Sequence, residues 1–172
     1  AFTFTHFDEA MDLARKAEAK YTRGARVRPL EGLPIGIKDV LLTEDMPTQY
    51  NSALYQNFHP HIDASCVSLL RQAGALIFGK TETAEFASSG QLAPTCNPHD
   101  LLHTPGGSSS GSAAAVADFH VPLAIGTQTG GSMIRPGSFC GVFAFKPTWG
   151  IVNPEGAKIF SPSMDTIGWF GR

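Results

Sequence analysis

The chain has 172 residues, with 13 Lys plus Arg against 15 Asp plus Glu and only 16% charged residues, well below the roughly 25% of an average globular protein. That balance leaves no basic stripe to hold phosphates, no apolar run approaches the ~20 residues needed to cross a bilayer, and three widely spaced cysteines make neither a disulfide framework nor a Cys-rich zinc site. The composition therefore predicts a soluble, cytoplasmic globular protein, one domain over residues 1–172, with no direct nucleic-acid or membrane partner.

In chain order, Phe7, Met11, Ala14 and Ala17 recur at helical steps among charged residues and predict an amphipathic packing helix ended by Gly24. In GLPIGIKDVLLT, β-branched Ile35 and Ile37 between Gly and Pro predict a strand leading out to Lys38 and Asp39. Asp63 is placed to cap a helix through Val67, Leu69 and Leu70 to Gly74, followed by an apolar strand at 75–78. Thr81 is placed to cap a short helix through Ala87, and the serines of TPGGSSSGSAAAVADF open a helix of small residues. LAIGTQTGGS reads as a strand dissolving into glycine, SFCGV as a short turn or helix, and FAFKP as a short strand. Beyond Trp149 the chain reads as irregular and stops after an apolar patch, IGWF, as if cut rather than finished. Alternating elements with nearly all-apolar strands define an α/β fold whose sheet is covered on both faces.

Three motifs invite chemistry that their context does not support. Gly74 to Thr81 fits GxxxxGK[ST], the basis of a competing nucleotide-binding reading, but its interior Ala-Leu-Ile-Phe is itself the strand. Gly107-Ser108-Ser109-Ser110-Gly111 fits the GxSxG elbow, yet no apolar strand precedes it, and the only later histidine, His120, lies two residues from Asp118. His59, His61 and Asp63 alternate as metal ligands do, but read more simply as a loop before a helix cap. No metal or cofactor is expected.

What remains is two Gly-Ser loops and a lysine at a strand end. A serine needs a base, and Lys38 is the available one: an apolar strand end disfavours its ammonium form. By itself it reads equally as a lysine snorkelling to solvent. The loop TQTGGS offers consecutive backbone N–H groups at Thr129, Gly130, Gly131 and Ser132, and its two glycines permit the close approach an oxyanion hole requires.

GLPIGIKDV, GKTETAEFA, TPGGSSSGSAAAVA and GTQTGGSMIRPGSFCGVFAFKPTWG, in that order, resemble the amidase signature family of serine hydrolases over residues 31–172, with 1–30 a leading helix and linker. The resemblance implies a mixed sheet flanked by helices, a domain longer than this chain, and a Ser–Ser–Lys triad that hydrolyses amides through an acyl-enzyme. It implies Lys38 as ultimate base, Ser108 as bridging serine after a cis Gly107–Ser108 bond, Ser132 as nucleophile, and Ser109 as loop support; Ser108 and Ser132 stand 24 residues apart, as the family requires. The expected partner is a small-molecule amide; a homodimer and the missing C-terminal part of the same domain are further partners left open. Two departures stand out: Gln128 where the family often has an acid, and Ser132-Met-Ile-Arg135 where it often reads S-I-R. Both weaken the alternative within the resemblance, the glutaminase subunit of a tRNA-dependent amidotransferase. A further alternative is an inactive amidase fragment.

Overall fold

The computed structural model describes residues 1–88 and 90–172. Among these residues six strands form one mixed sheet in the order β1-β3-β2-β4-β6-β5: β1 (Phe2–Thr5), β2 (Pro34–Lys38), β3 (Leu76–Thr81), β4 (Leu123–Gln128), β5 (Phe143–Phe145) and β6 (Thr166–Gly171). The centre is parallel, β2 lying between β3 and β4, while β1, β6 and β5 add antiparallel strands outside it. Among the described residues, four α-helices accompany the sheet: α1 (Phe7–Thr22), α2 (Ser65–Gln72), α3 (Ser110–Ala117) and α4 (Ile134–Cys140). The expected α/β architecture with a mixed, doubly covered sheet is present.

Alternation along the strands sorts the core into two layers. Ile35 and Ile37 of β2, Ile77 of β3, Ile125 of β4 and Ile167 of β6 pack with Val40, Leu41 and Val67 on one face. Ala124 of β4 and Phe170 of β6 point the other way and pack with α3, Met133 and Cys140. Gly36 also belongs to this second face, since a Cβ there would meet Thr81 at 2.9 Å and Ala124 at 3.6 Å. The period of two then puts Lys38 on the α3 side, and this one register choice positions the site.

Helix α3 explains its own composition. Ser110 to Val116 are all buried, so the helix has no solvent face to write in charge. A Cβ at Gly111 would lie 2.1 Å from the Ala1 carbonyl oxygen and 2.4 Å from Glu82 N. Only a side-chain-free residue lets the helix come that near. Ser112 Oγ donates to the Ile125 carbonyl at 2.9 Å and lies 2.6 Å from Thr81 Oγ1.

Several expectations are corrected. IGWF is not a loose end: β6 lies between β4 and β5, and Ile167 and Phe170 are core residues. An apolar run read in isolation carries no mark of the partner it pairs with. Strand β1 at the chain start was likewise not foreseen. Asp63 does not cap α2, whose N-cap is Ala64 without a side-chain bond; its carboxylate accepts from Glu44 N at 2.8 Å and Arg71 Nε at 2.9 Å. Thr81 does not cap the short turn at Glu85–Ala87, because β3 continues through Gly79, Lys80 and Thr81. The SFCGV turn is the end of α4, which closes on Gly141 in the left-handed conformation, φ 68°.

Candidate active site

Lys38 ends β2 fully buried, with the two Gly-Ser loops above it. The first loop, 106–109, runs into α3, and the Gly107–Ser108 peptide is cis. Lys38 Nζ donates to Ser108 Oγ at 2.8 Å, to Thr127 Oγ1 at 2.8 Å and more weakly to the Thr127 carbonyl at 3.5 Å. Burial pulls the ammonium down from 10.5 to about 7, against the opposing pull of the Asp165 carboxylate, which favours the charged form. A lysine so placed spends much of its time as a neutral amine near pH 7.

Ser109 ties the first loop to β4. Its Oγ donates to the Thr127 carbonyl at 3.1 Å and accepts from Thr127 N at 3.3 Å. Both sides of the hydroxyl are thereby committed, and the residue is fully buried, so this serine, the one the GxSxG pattern would nominate, does not face the cleft. Gly126 makes room for it, as a Cβ there would meet Ser109 Oγ at 2.9 Å and Phe170 at 2.7 Å. Across the gap, Ser109 N donates to the Ser132 carbonyl at 3.2 Å, joining the two loops directly.

The second loop follows β4. Gln128 turns its side chain back so that Oε1 accepts from Met133 N at 2.8 Å and Ile134 N at 3.0 Å. These are unsatisfied donors at the start of α4, so Gln128 does a cap's work from outside the helix. Thr129 Oγ1 donates to Asp165 Oδ1, and the other oxygen of Asp165 accepts from Phe160 N at 2.6 Å and Ser161 N at 2.9 Å. Among the described residues, none of the backbone N–H groups of Thr129, Gly130, Gly131 and Ser132 is taken by an internal acceptor. Ser108, Ser132, Thr129, Gly130 and Gly131 all line one open cleft of about 1030 Å³. The arrangement offers a partly exposed hydroxyl beside free amide donors, and a buried amine against the neighbouring hydroxyl.

The misleading motifs have structural occupations. Lys80 Nζ lies inside the protein, 2.9 Å from Asp39 Oδ1 and donating to Thr48 Oγ1 at 2.6 Å and the Pro47 carbonyl at 3.1 Å, so it presents nothing to a phosphate. His120 pairs with Asp118 at 3.1 Å beyond the end of α3, both exposed. His59 and His61 stack on each other in an exposed loop while Asp63 serves Arg71. Elsewhere, His6, Glu9 and Asp45 bring ligand atoms within 4.8 Å of one another. Asp45 is held there by Arg71 Nη2 at 2.6 Å, and none of the three lines the cleft. All three cysteines are free, and no described helix is long and apolar enough to cross a membrane.

Two participants escaped the sequence reading. Thr127 shows only as a polar residue at the end of an apolar strand, a signal available but ambiguous. Asp165 gives no local signal, because its relation to Thr129 exists only once β6 has folded beside β4.

A chain with this sheet and these two loops has counterparts. The amidase family model matches residues 1–172, and the chain belongs to that family. It is 45% identical over 177 residues to a protein of Acidothermus cellulolyticus named as the A-type subunit of glutamyl-tRNA(Gln) amidotransferase, with 100% of this chain and 35% of that protein aligned. Among solved structures, peptide amidase from Stenotrophomonas maltophilia superposes with a TM-score of 0.92 at 36% identity, over 100% of this chain and 37% of that one. The corresponding glutamyl-tRNA(Gln) amidotransferase subunit from Thermotoga maritima superposes with a TM-score of 0.81 at 35% identity, over 96% and 41%. The chain therefore spans little more than a third of the length of these relatives.

Proposed function

We propose that the protein hydrolyses carboxamides to a carboxylic acid and ammonia or an amine through an acyl-enzyme on Ser132, without metal or cofactor. The observation that carries the reading is the 2.8 Å contact between the buried Lys38 Nζ and Ser108 Oγ, beside a second serine in the same cleft. With Lys38 neutral, its lone pair takes the Ser108 proton as Ser108 takes that of Ser132, since a hydroxyl donates and accepts at once. Ser132 Oγ bonds to the substrate carbonyl carbon. The oxygen, gaining negative charge, is met by the N–H groups of Thr129, Gly130, Gly131 and Ser132, worth about 3–4 kcal/mol per donor in the transition state. The proton returns by the same path to the leaving nitrogen, the C–N bond breaks, and ammonia or amine departs. Water then repeats the sequence on the ester: its oxygen bonds to carbon, the C–Oγ bond breaks, and Ser132 recovers its proton. Gly107 and Ser109 hold the bridging serine in line. Ammonia release from simple primary amides tests this in the intact protein. Ser132→Ala and Ser108→Ala should each abolish it, and unimpaired release by either variant would refute the scheme.

The second reading, a glutaminase subunit of a tRNA-dependent amidotransferase, is favoured by the names of the relatives at 45% identity. It predicts free glutamine as the preferred amide. Gln128 and the position of Arg135 speak for the simpler amidase.

A further inference from the structure

Asp165 stands one residue before β6. That strand pairs antiparallel with β4, Gln128 opposite Thr166, so the same register carried one step further sets Asp165 opposite Thr129, the first residue of the nucleophile's loop. Both oxygens of its carboxylate are engaged. Oδ1 accepts from Thr129 Oγ1, while Oδ2 accepts from Phe160 N at 2.6 Å and Ser161 N at 2.9 Å. The backbone closes the same turn, Asp165 N and Met164 N donating to the Ser161 carbonyl at 2.9 Å and 3.1 Å. Trp149 Nε1 donates to the Pro162 carbonyl of that turn at 3.2 Å. One side chain thus joins the start of the loop to a hydrogen-bonded turn whose residues Phe160, Ser161 and Met164 line the cleft.

Gly130 and Gly131 bring no side chains of their own to the loop, so its anchors lie at its ends. At the far end Gln128 Oε1 holds Met133 N and Ile134 N, and Ser109 N holds the Ser132 carbonyl. At the near end the anchor is the Thr129 hydroxyl on Asp165. Oxyanion donors must lie about 2.7–3.1 Å from the developing charge, and a misplacement of about 1 Å costs on the order of 100-fold in rate.

We infer that Asp165 is a positioning residue for amide hydrolysis, holding through Thr129 the leading end of the loop whose N–H groups receive the substrate oxygen. The inference rests on the amidase reading of the same site. Asp165 also brings a charge, and its carboxylate favours the ammonium form of Lys38. Around that base, β4, the first loop and α3 contain no ionisable residue and offer the hydroxyls of Thr127 and Ser108. Strand β3 brings Lys80, which its register sets on the Ile37 face and which closes on Asp39 at 2.9 Å.

Steady-state kinetics of the intact protein on a simple primary amide, over a range of pH, test the inference. Thr129→Val removes the tie but keeps the shape of the side chain. Its kcat should fall on the order of 10- to 100-fold with KM little changed, because the displaced donors act on the transition state. Thr129→Ser, which keeps the hydroxyl, should recover most of that loss. Asp165→Asn can retain the three hydrogen bonds, its Oδ1 accepting from both N–H groups and its NH2 donating to Thr129 Oγ1, while the charge is removed. Its kcat/KM profile should therefore reach its plateau at lower pH than the wild type, whereas Thr129→Val should leave that pH unchanged. An unchanged kcat in Thr129→Val, or a loss that Thr129→Ser does not recover, would overturn the tie while leaving the amidase intact. A profile that Asp165→Asn leaves in place would overturn the placing of this carboxylate in the catalytic site. No ammonia release by the wild-type protein would overturn the amidase reading, and this inference with it.

Discussion

Replacing Lys38 with Met isolates the energetic consequence of burying the base. The side chain is fully buried and its ammonium is pulled from 10.5 to about 7. Between those values the unfolded chain binds a proton that the folded chain does not, so stability rises with pH across this window and is lowest below pH 7. At about 1.4 kcal/mol per pH unit, the wild-type protein should gain about 4 kcal/mol from this residue between pH 6 and pH 10. Methionine, similar in length and uncharged, has no such dependence. It leaves Ser108 and Thr127 without the contacts at 2.8 Å, a loss of about 1–3 kcal/mol that does not vary with pH. Urea unfolding of both proteins at several pH values gives the difference, in which the other titrating groups cancel. The variant should be the more stable at pH 6, and its advantage should shrink or reverse by pH 10. A pH-independent difference would refute the claim that Lys38 is held neutral by desolvation.

The same titration governs rate. The pH profile of kcat/KM, which reports the free enzyme, should climb about tenfold per unit below pH 7 and flatten above it; a profile still rising at pH 10 would mean an unperturbed lysine. Gln128→Leu leaves the Met133 and Ile134 N–H groups without their acceptor and should cost about 1–3 kcal/mol by chemical denaturation, whereas Gln128→Glu keeps an acceptor there and should recover most of it. Away from the serines, burial pushes Asp39 up and Lys80 down while each holds the other charged. Lys80→Met alone should cost about 3–5 kcal/mol in unfolding experiments, and combining it with Asp39→Leu should restore a large part. A double variant no more stable than the single would argue against a coupled buried pair.

How much of this was legible depended on whether the signal was local. The helix at Phe7–Thr22, the strand ending at Lys38 and the small-residue helix after Ser109 follow from periodicity, glycine punctuation and burial, all of which a window of about a dozen residues contains. Strand β6 was missed because its identity comes from β4 and β5 on either side, and Thr166 to Gly171 carry no alternation to announce it. Thr81 and Asp63 look like caps in sequence, but a hydroxyl or carboxylate satisfied by a distant partner, Ser112 or Arg71, has no local cap to make. In the site, Lys38 and the serine loops stood out through glycine spacing and family resemblance. Asp165, which shapes the charge around Lys38 and holds Thr129, is brought there by tertiary structure alone.

The nucleophile assignment is the central claim, and covalent labelling tests it most directly. A serine-reactive phosphonate incubated with the intact protein, followed by peptide mass spectrometry, should place a single adduct on the peptide bearing Ser132, and Ser132→Ala should carry none. An adduct mapped to Ser108, Ser109 or another residue, or equal labelling of the variant, would contradict the account.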